Sequence, residues 1–235
     1  MRKEGRMPEK SDKGKAEGAE ELRMIAYEAG LTLTDGRLEL RADFSSMLPR
    51  IRQGSLQREL LVKAAKQKNA DHLLRAVDAT AGLGEDSFLL AAAGYEVTLF
   101  EHDEWIAALL EDALERAKED PRLAEYAGRM HLRKEDSIAG MQSLDFAPDL
   151  IYLDPMFPER QKSGLVKKKF QLLQKLELPC SQGEELFDAA KAAGPGRIIV
   201  KRMAKGPELA GRKADYSING KTIRYDIYRI ALAMR

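Results

Sequence analysis

The sequence predicts an α/β fold in which a mostly parallel sheet carries helices on both faces and ends in a C-terminal antiparallel hairpin. From Arg75 onward, β-prone runs alternate with helical runs, which is typical of a parallel sheet with crossover helices. The run 149–155 (DLIYLDP) is almost wholly apolar up to its acid, as a strand buried on both faces should be. Near the C-terminus, Asn219 and Gly220 stand between two β-prone runs, a strong signal for a hairpin turn.

The alternating region supplies the elements of this sheet in order. Strands are predicted from β-prone apolar runs, and helices from apolar residues that recur every three or four positions. The longest helix is expected to end before Pro121, which cannot continue it. The expected strands are 75–80, 96–101, 130–136, 149–155 and 197–202, and the expected helices are 85–94, 103–120 and 183–194.

The N-terminal part of the chain has a different character. Residues 1–21 are rich in Lys, Glu and Gly with almost no apolar content, so we expect a disordered tail. Residues 22–70 are expected to form a hairpin that turns at Asp35 and its following glycine, and then a helix over 56–66. The main domain of this prediction is 71–235.

Composition limits the setting and the chemistry. The chain has 235 residues, of which 44% are apolar, enough for one α/β domain with a substantial core. No apolar run approaches the roughly 18 residues of a membrane span, and no N-terminal apolar segment indicates a secretory signal. A single cysteine and three histidines predict no disulfide and no metal site, and they favour a cytoplasmic location without membrane contact.

The net charge of +1 conceals an uneven distribution. Residues 1–70 carry 15 basic and 11 acidic side chains, residues 71–154 carry 7 and 19, and residues 155–235 carry 17 and 8. The middle block is therefore net −12 and the last block net +9. Such a division lets a nearly neutral chain present a basic surface to a polyanion.

A glycine loop, VDATAGLGEDSF, joins the first strand of the main domain to its helix. Gly82 and Gly84 permit positive φ and close approach of a ligand at the carboxyl ends of the strands. The loop lacks the Gly-Lys-Ser/Thr of a phosphate loop, and Ser87 replaces the third glycine of a dinucleotide fingerprint. Glu85 and Asp86 would repel a pyrophosphate at the helix N-terminus, but they suit the cationic S-adenosylmethionine.

Further polar side chains follow the ends of the first three strands. Asp78 ends the first strand and also suits a cationic ligand. Glu101 ends the second strand, near the interval at which an acid meets ribose hydroxyls, and Asp136 with Ser137 follows the third, where an adenine amine could be bound. Each acid alone is also explained as a helix N-cap. Their succession on neighbouring strand ends favours S-adenosylmethionine as the cofactor.

The fourth strand leads into a second candidate site, YLDPMFP. Enzymes that methylate amines carry [Asp/Asn]-Pro-Pro-aromatic at this point. Asp154 and a carbonyl fixed by the Pro155 turn could accept the hydrogens of an exocyclic amine. Phe157 could stack on the base, a contact that contributes about 1–3 kcal/mol to binding. Met156 replaces the second proline of that pattern. The alternative explanation of this segment is structural: Asp154 caps the next turn and Phe157 packs in the core.

Four stretches together resemble one family. DATAGLGEDSF, YLDPMFPERQKSGLVKKKFQ, RIIVKR and RYDIY are similar to the bacterial guanine-N2 methyltransferases of small-subunit ribosomal RNA, from about Leu31 to the C-terminus. The resemblance implies the class I S-adenosylmethionine-dependent methyltransferase (Rossmann-like) fold, that cofactor, and methylation of a guanine amine in 16S rRNA. It departs from the family at PRIRQGSLQRE, which is poorer in glycine than usual, and at Glu85, where a basic residue is common. Carried over by position, the cofactor contacts are Glu85, Asp86, Glu101, His102, Asp136, Ser137 and Asp154.

Basic side chains follow both candidate segments. Cations along an RNA path give sequence-independent, salt-sensitive affinity, so we expect these side chains to contact the RNA backbone. The alternative for the lysine run is a solvated helix face. The expected RNA contacts are Lys162, Lys167, Lys168, Lys169, Lys201 and Arg202.

Three other functions stay open at this level. An NAD-dependent oxidoreductase conflicts with the missing third glycine and with the acids that follow Gly84. A noncatalytic rRNA-binding assembly factor could retain a methyltransferase shell, and an amino-methyltransferase could act on DNA or a protein amine. Only the family resemblance points to ribosomal RNA or the small subunit as the partner.

Overall fold

The structure is a computed structural model and describes residues 22–67, 71–155 and 183–230. The strands form a three-stranded antiparallel sheet near the N-terminus and a seven-stranded sheet after it. The first sheet contains β1 (Arg23–Tyr27), β2 (Gly30–Thr34) and β3 (Glu39–Leu40). The second contains β4 (Arg75–Asp78), β5 (Glu96–Phe100), β6 (Met130–Arg133), β7 (Leu150–Leu153), β8 (Arg197–Met203), β9 (Tyr216–Asn219) and β10 (Ile223–Arg229).

Helices connect these strands. Short 3-10 turns lie at Phe44–Met47, Leu56–Arg58 and Leu209–Gly211. The α-helices are α1 (Leu48–Ile51), α2 (Leu60–Ala65), α3 (Glu85–Ala92), α4 (Glu104–Glu119), α5 (Ala124–Ala127), α6 (Ser137–Gln142) and α7 (Gly183–Ala192). None of the helices in the described residues is long and apolar enough to cross a membrane.

The seven-stranded sheet has the order β6-β5-β4-β7-β8-β10-β9. Strands β4 to β8 are parallel, whereas β10 is antiparallel to both of its neighbours, β8 and β9. The predicted mostly parallel sheet with a closing hairpin is therefore confirmed. Because β10 inserts between β8 and β9, β9 is parallel to β8.

This topology gathers several strand ends at one edge of the sheet, here called the carboxyl edge. Asp78 pairs with Tyr152, so β4 and β7 end there together, and β8, whose Val200 pairs with Leu153, extends beyond them to Met203. Ile223 pairs with Met203, which places the β9–β10 turn at the same edge. In open α/β sheets this edge is where ligands bind.

The side chains of each strand alternate between two hydrophobic clusters. Leu150 and Tyr152 face the cluster built with α3, α4 and the N-terminal elements, and Ile151 and Leu153 face the cluster built with α6 and α7. The N-terminal segment shares the first cluster, since Phe44 stacks on Phe88 of α3 with ring centroids 4.8 Å apart. Residues 22–65 thus pack into the same core as the seven-stranded sheet.

The N-terminal region differs in part from its prediction. The turn at Asp35 is confirmed, because its Oδ1 accepts hydrogen bonds from the backbone of Arg37 and Leu38. The region holds a third strand, β1, beyond the predicted hairpin. The helix expected over 56–66 is broken at Glu59, whose φ of −60° and ψ of 130° are extended, so a 3-10 turn precedes α2. The tail 1–21 lies outside the described residues.

Candidate active site at the carboxyl edge

The glycine loop between β4 and α3 is tied to the strands on both sides. The backbone N–H of Ala79 donates to the carbonyl of Tyr152 at 3.1 Å, and that of Ala81 donates to the carbonyl of Phe100 at 3.1 Å. Such ties are needed because a loop at the end of a buried strand must satisfy its backbone polar groups. The loop is therefore held in one conformation at the carboxyl edge.

The two glycines of this loop serve different purposes. Gly82 has φ of +53°, and a Cβ built on it would meet nothing within 4 Å, so the space above it is open. Gly84 has φ of +77°, but a Cβ there would lie 2.7 Å from Leu110 Cδ1 and 3.1 Å from Phe44 Cζ. The absent side chain of Gly84 therefore makes room for the core, and a contact of its backbone with a ligand stays a prediction.

Asp78 is buried and hydrogen-bonded within the glycine loop, and its predicted contact with the cofactor stays a prediction. It is 1% exposed, its Oδ1 accepts from the backbone of Thr80 at 3.0 Å, and its Oδ2 lies 2.5 Å from the hydroxyl of Ser87. Burial raises the pKa of Asp78 to about 7, and the hydrogen bonds from Ser87 and Thr80 oppose this rise. Asp78 therefore holds the loop against the start of α3.

Glu101 joins the end of β5 to the glycine loop. Its Oε2 accepts from the backbone N–H of Gly82 at 3.0 Å and its Oε1 from that of Asp103 at 2.8 Å. Burial raises the pKa of Glu101, and these backbone donors oppose the rise. The residue that caps α4 is Asp103, whose Oδ1 accepts from Trp105 N, so the N-cap explanation does not apply to Glu101. His102 is beside it and exposed, with Nδ1 3.8 Å from Glu101 Oε1.

Asp136 is the case in which the N-cap explanation does apply. Its Oδ1 accepts from the backbone N–H of Ala139 at 3.0 Å, and Ser137 is the first residue of α6. Asp136 is exposed and follows the end of β6. In the sheet, β5, which leads to Glu101, lies between β6 and β4. A contact of Asp136 or Ser137 with adenine stays a prediction.

Four residues from different elements form a charged group, here called the bridge cluster: Asp86, Tyr152, Asp154 and Lys201. Lys201 Nζ donates to Asp86 Oδ2 and to Asp154 Oδ2, each at 2.8 Å. The Tyr152 hydroxyl donates to Asp86 Oδ2 at 2.6 Å. From outside the cluster, the hydroxyl of Thr80 accepts the backbone N–H of Asp154 at 2.7 Å. Two carboxylates surround one ammonium, so the cluster keeps a net negative charge.

The charges of the bridge cluster depend on each other. Burial alone would lower the pKa of Lys201, but the carboxylates of Asp86 and Asp154 outweigh it and raise that pKa. Burial raises the pKa of Asp154, and Lys201 opposes that rise while Asp86 adds to it. Lys201 therefore favours the ionised form of Asp154.

Lys201 and Arg202 of β8 do not lie on an exposed surface, so their predicted contacts with RNA find no support in the geometry and stay predictions. Lys201 turns inward to the bridge cluster, and Arg202 is only 5% exposed, with its Nε donating to the carbonyl of Pro207 at 2.7 Å. Alternation along β8 explains the split, because Lys201 lies on the α3 side of the sheet and Arg202 on the α7 side. Neither side chain belongs to an exposed cationic surface.

Several predicted residues lie outside the described residues: Phe157, Lys162, Lys167, Lys168 and Lys169. Pro155 is the last residue described before that gap and is buried. Two polar partners were not predicted, the Thr80 hydroxyl and the Tyr152 hydroxyl. Thr80 lies two residues after Asp78 in the loop, and that short spacing is the one sequence signal that pointed to it.

Comparison with known proteins decides the family. A family model for SAM-dependent methyltransferases matches residues 15–230. A protein of Thioalkalivibrio sulfidiphilus named ribosomal RNA small subunit methyltransferase J is 44% identical over 202 residues, which are 84% of this chain and 79% of the relative. The chain belongs to this methyltransferase family. A Pseudomonas aeruginosa protein of the same name is 50% identical over 155 residues, but the match spans only 59% of its length.

Solved structures agree with the fold of this methyltransferase. The crystal structure of a SAM-dependent methyltransferase from Neisseria gonorrhoeae has a TM-score of 0.74 and 29% identity, and the match covers 94% of this chain and 87% of that one. An rRNA methyltransferase from Streptomyces viridochromogenes has a TM-score of 0.50 at 16% identity and agrees in fold alone. The class I S-adenosylmethionine-dependent methyltransferase fold is confirmed.

The cofactor of the methyltransferase is S-adenosylmethionine, and the residues at the carboxyl edge fit it. Open space above Gly82 admits a ligand close to the backbone. The carboxylate of Glu101 beside it retains lone pairs that can accept ribose hydroxyls. Because Asp86 and Asp154 neutralise Lys201, no uncompensated cation in the bridge cluster repels a sulfonium.

Proposed function

We propose that this methyltransferase transfers the methyl group of S-adenosylmethionine to the N2 amine of a guanine in 16S rRNA, in the cytoplasm. The relatives named ribosomal RNA small subunit methyltransferase J support the RNA, and the resemblance of the Asp-Pro segment supports the guanine amine. The observation that carries the proposal is the placement of Asp154. Its carboxylate lies at the carboxyl edge beside the glycine loop, where Lys201 binds it and Thr80 binds the backbone N–H of the same residue, and the side chain is still 35% exposed.

Asp154 acts by orienting the amine. S-adenosylmethionine supplies an electrophilic methyl group on a sulfonium, which becomes a thioether when the methyl group leaves. The Asp154 carboxylate accepts a hydrogen bond from the amine and directs its lone pair, while a new N–C bond replaces the C–S bond. The nitrogen loses one proton, which water or Asp154 can accept because the amine becomes acidic as the new bond forms. Positioning and electrostatics supply the rate enhancement.

The rest of the bridge cluster keeps Asp154 ready for this role. A protonated Asp154 would offer a donor to an amine that needs an acceptor. Lys201 stabilises the ionised carboxylate, and Asp86 with the Tyr152 hydroxyl holds Lys201 in place. The Thr80 hydroxyl fixes the backbone of Asp154, so the turn into Pro155 begins at a defined point.

The test is transfer of a labelled methyl group to 16S rRNA, both naked and in small subunits, taken from a strain that lacks the corresponding mark. We expect Asp154→Ala to retain cofactor binding and to lose at least 100-fold in kcat, as removal of one preorganised polar group typically does. Asp71→Asn is the matched control, since Asp71 precedes β4 at the opposite edge and its side chain is 98% exposed.

Two results would overturn the proposal. One is a folded, cofactor-binding Asp154→Ala protein that methylates at the parent rate. The other is a parent enzyme that labels DNA, transfer RNA or protein but not 16S rRNA. Mapping the labelled nucleotide identifies the guanine and separates N2 from other positions.

A further inference from the structure

We propose that four exposed cations at the carboxyl edge, here called the cationic rim (Arg52, Arg58, Lys205 and Lys221), bind the phosphate backbone of the substrate RNA. The inference rests on the proposed RNA substrate and assigns the docking surface that Lys201 and Arg202 were expected to provide. The four residues come from three segments: the stretch between α1 and α2, the loop after β8, and the β9–β10 turn.

Two of these segments are joined directly. The backbone N–H of Ala204 donates to the carbonyl of Thr222 at 2.9 Å. The guanidinium of Arg224 donates to the carbonyls of Met203, Ala204 and Gly206 at 2.8, 3.1 and 2.8 Å. The loop that carries Lys205 is therefore fixed against the turn that carries Lys221.

The third segment packs on the same turn. A Cβ built on Gly220 would lie 2.6 Å from Leu60 Cδ1, so the start of α2 is in close contact with the β9–β10 turn. Just before it, Arg50 and Glu59 form a bidentate pair, with Nε–Oε1 at 2.9 Å and Nη2–Oε2 at 2.8 Å. This pair closes the stretch that contains Arg52 and Arg58 and holds it at the carboxyl edge.

The cationic rim lies beside the bridge cluster. Lys201 pairs with Tyr225, and Met203 pairs with Ile223, so β8 ends two residues beyond Lys201 and the loop follows directly. At about 3.3 Å per residue, that separation is about 7 Å along the strand. On the other side, the pKa of Arg50 is raised by Glu59 first and also by Asp86 and Glu85, so the α1 segment lies near the start of α3 and the bridge cluster.

The charges of the rim are available to a ligand. All four side chains are exposed, and within 22–67, 71–155 and 183–230 none forms a salt bridge with an acid. The neighbouring acid, Glu59, is already bound by Arg50. Exposed cations grouped at the carboxyl edge suit a chain of phosphates, which must pass this edge when one base enters the site.

The experiment compares the full chain with two multiple variants. The rim variant is Arg52→Gln, Lys205→Gln and Lys221→Gln, and the control is Lys118→Gln with Lys191→Gln. Lys118 and Lys191 are exposed cations near the C-terminal ends of α4 and α7, at the edge opposite the site. The probe is a fluorescently labelled single-stranded RNA of mixed sequence, titrated between about 50 and 200 mM salt.

For the rim variant we expect weaker RNA binding and a shallower salt dependence. Each contact with a single strand contributes about 0.7 to the slope of log K against log salt, so three lost contacts reduce it by about 2. The control variant should keep the parent slope. Affinity for S-adenosylmethionine, measured by calorimetry, should be unchanged in both variants, which shows that the site is folded.

Three outcomes would overturn the rim without touching the proposed function: the parent slope in the rim variant, an equal loss in both variants, or, when small ribosomal subunits replace the labelled RNA as the probe, a loss seen with the subunits alone. The last would assign these cations to a protein contact. A parent enzyme that transfers no methyl group to 16S rRNA would instead refute the proposed function itself.

Discussion

Replacing Lys201 by Met tests the bridge cluster most directly. The substitution removes the ammonium and keeps an unbranched side chain of similar length, so the packing against Tyr225 is disturbed little. It leaves the Oδ2 atoms of Asp86 and Asp154 without the cation that lies 2.8 Å from each. Two carboxylates that share a site without a cation cannot both stay ionised easily.

The size of the effect follows from the geometry. An opposite charge within about 4–6 Å lowers a carboxyl pKa by about 1–3 units. Because the Asp154 side chain is 35% exposed, solvent screens part of this effect, and we expect the pKa of Asp154 to rise when the ammonium is removed. Burial already raises the pKa of Asp154, so the variant moves it further upward. If the ionised form orients the amine, methyl transfer falls about 10- to 100-fold below that pKa and recovers above it.

The assay is kcat/KM for methyl transfer as a function of pH, with cofactor affinity measured at each pH. The acid limb of the Lys201→Met profile should lie at higher pH than that of the parent. Lys201→Arg keeps the charge and should restore most of the parent profile. Asp86→Asn removes a carboxylate that raises the pKa of Asp154, so its acid limb should move to lower pH.

Other groups that face Asp154 must be separated from it. Tyrosine pKa values raised by burial lie above the range of the assay, and Arg202 stays charged through it. Among these groups, Asp78 has a pKa of about 7 and could produce a second limb in the pH profile. The variant Asp78→Asn removes that titration. The reasoning fails if Lys201→Met folds, binds cofactor and keeps the acid limb of the parent. The groups concerned are Asp78, Asp86, Tyr152, Tyr225 and Arg202.

Three more predictions follow from the glycine loop. The pKa of buried Asp78 is about 7, above its unfolded value of about 3.9, so the folded state holds the extra proton and stability is lost as pH rises from about 4 to 7. The substitution Asp78→Asn resembles the protonated acid, so the free energy of unfolding of this variant in urea should depend less on pH than that of the parent. The difference in slope should be up to about 1.4 kcal/mol per pH unit, and a variant that keeps the slope of the parent would contradict this. Gly84→Ala should destabilise the protein by about 1–3 kcal/mol in thermal unfolding, because the new Cβ meets core side chains. Gly82→Ala should instead weaken cofactor binding, with a smaller loss of stability. Equal cofactor affinities of the two variants would show that the cofactor does not use the space above Gly82. Glu101→Gln should weaken S-adenosylmethionine binding about 10- to 100-fold by calorimetry, the usual range for one charged hydrogen bond, and unchanged affinity would exclude the ribose contact.

The order of elements in the main domain was predictable because each strand and helix carries its own periodic pattern. The strands at Arg75–Asp78 and Leu150–Leu153 and the helix at Glu104–Glu119 lie within the predicted ranges. The break at Glu59 was not predictable, because the local pattern of 56–66 is helical throughout and its bidentate contact with Arg50 depends on tertiary packing.

The candidate site shows the same division residue by residue. The location of Glu101 and Asp154 at the carboxyl edge was predictable from their positions after strands, since the ends of parallel strands meet at one edge of the sheet. The inward turn of Lys201 was missed, because a lysine at a strand end looks the same in sequence whether it faces solvent or a pair of carboxylates. Its partner Asp86 lies 115 residues away in the chain.

By itself, the sequence determined the fold class, the glycine loop, the acids at the strand ends and the family, because these depend on local patterns and on short motifs. Only the tertiary structure decided which charges are buried and which are free. It turned Lys201 and Arg202 to opposite faces of β8, closed Asp78 inside the loop, and brought three distant segments together as the cationic rim. The physical reason is that the effect of a charge depends on its desolvation and on its nearest neighbours, and both are set by residues far away in the chain.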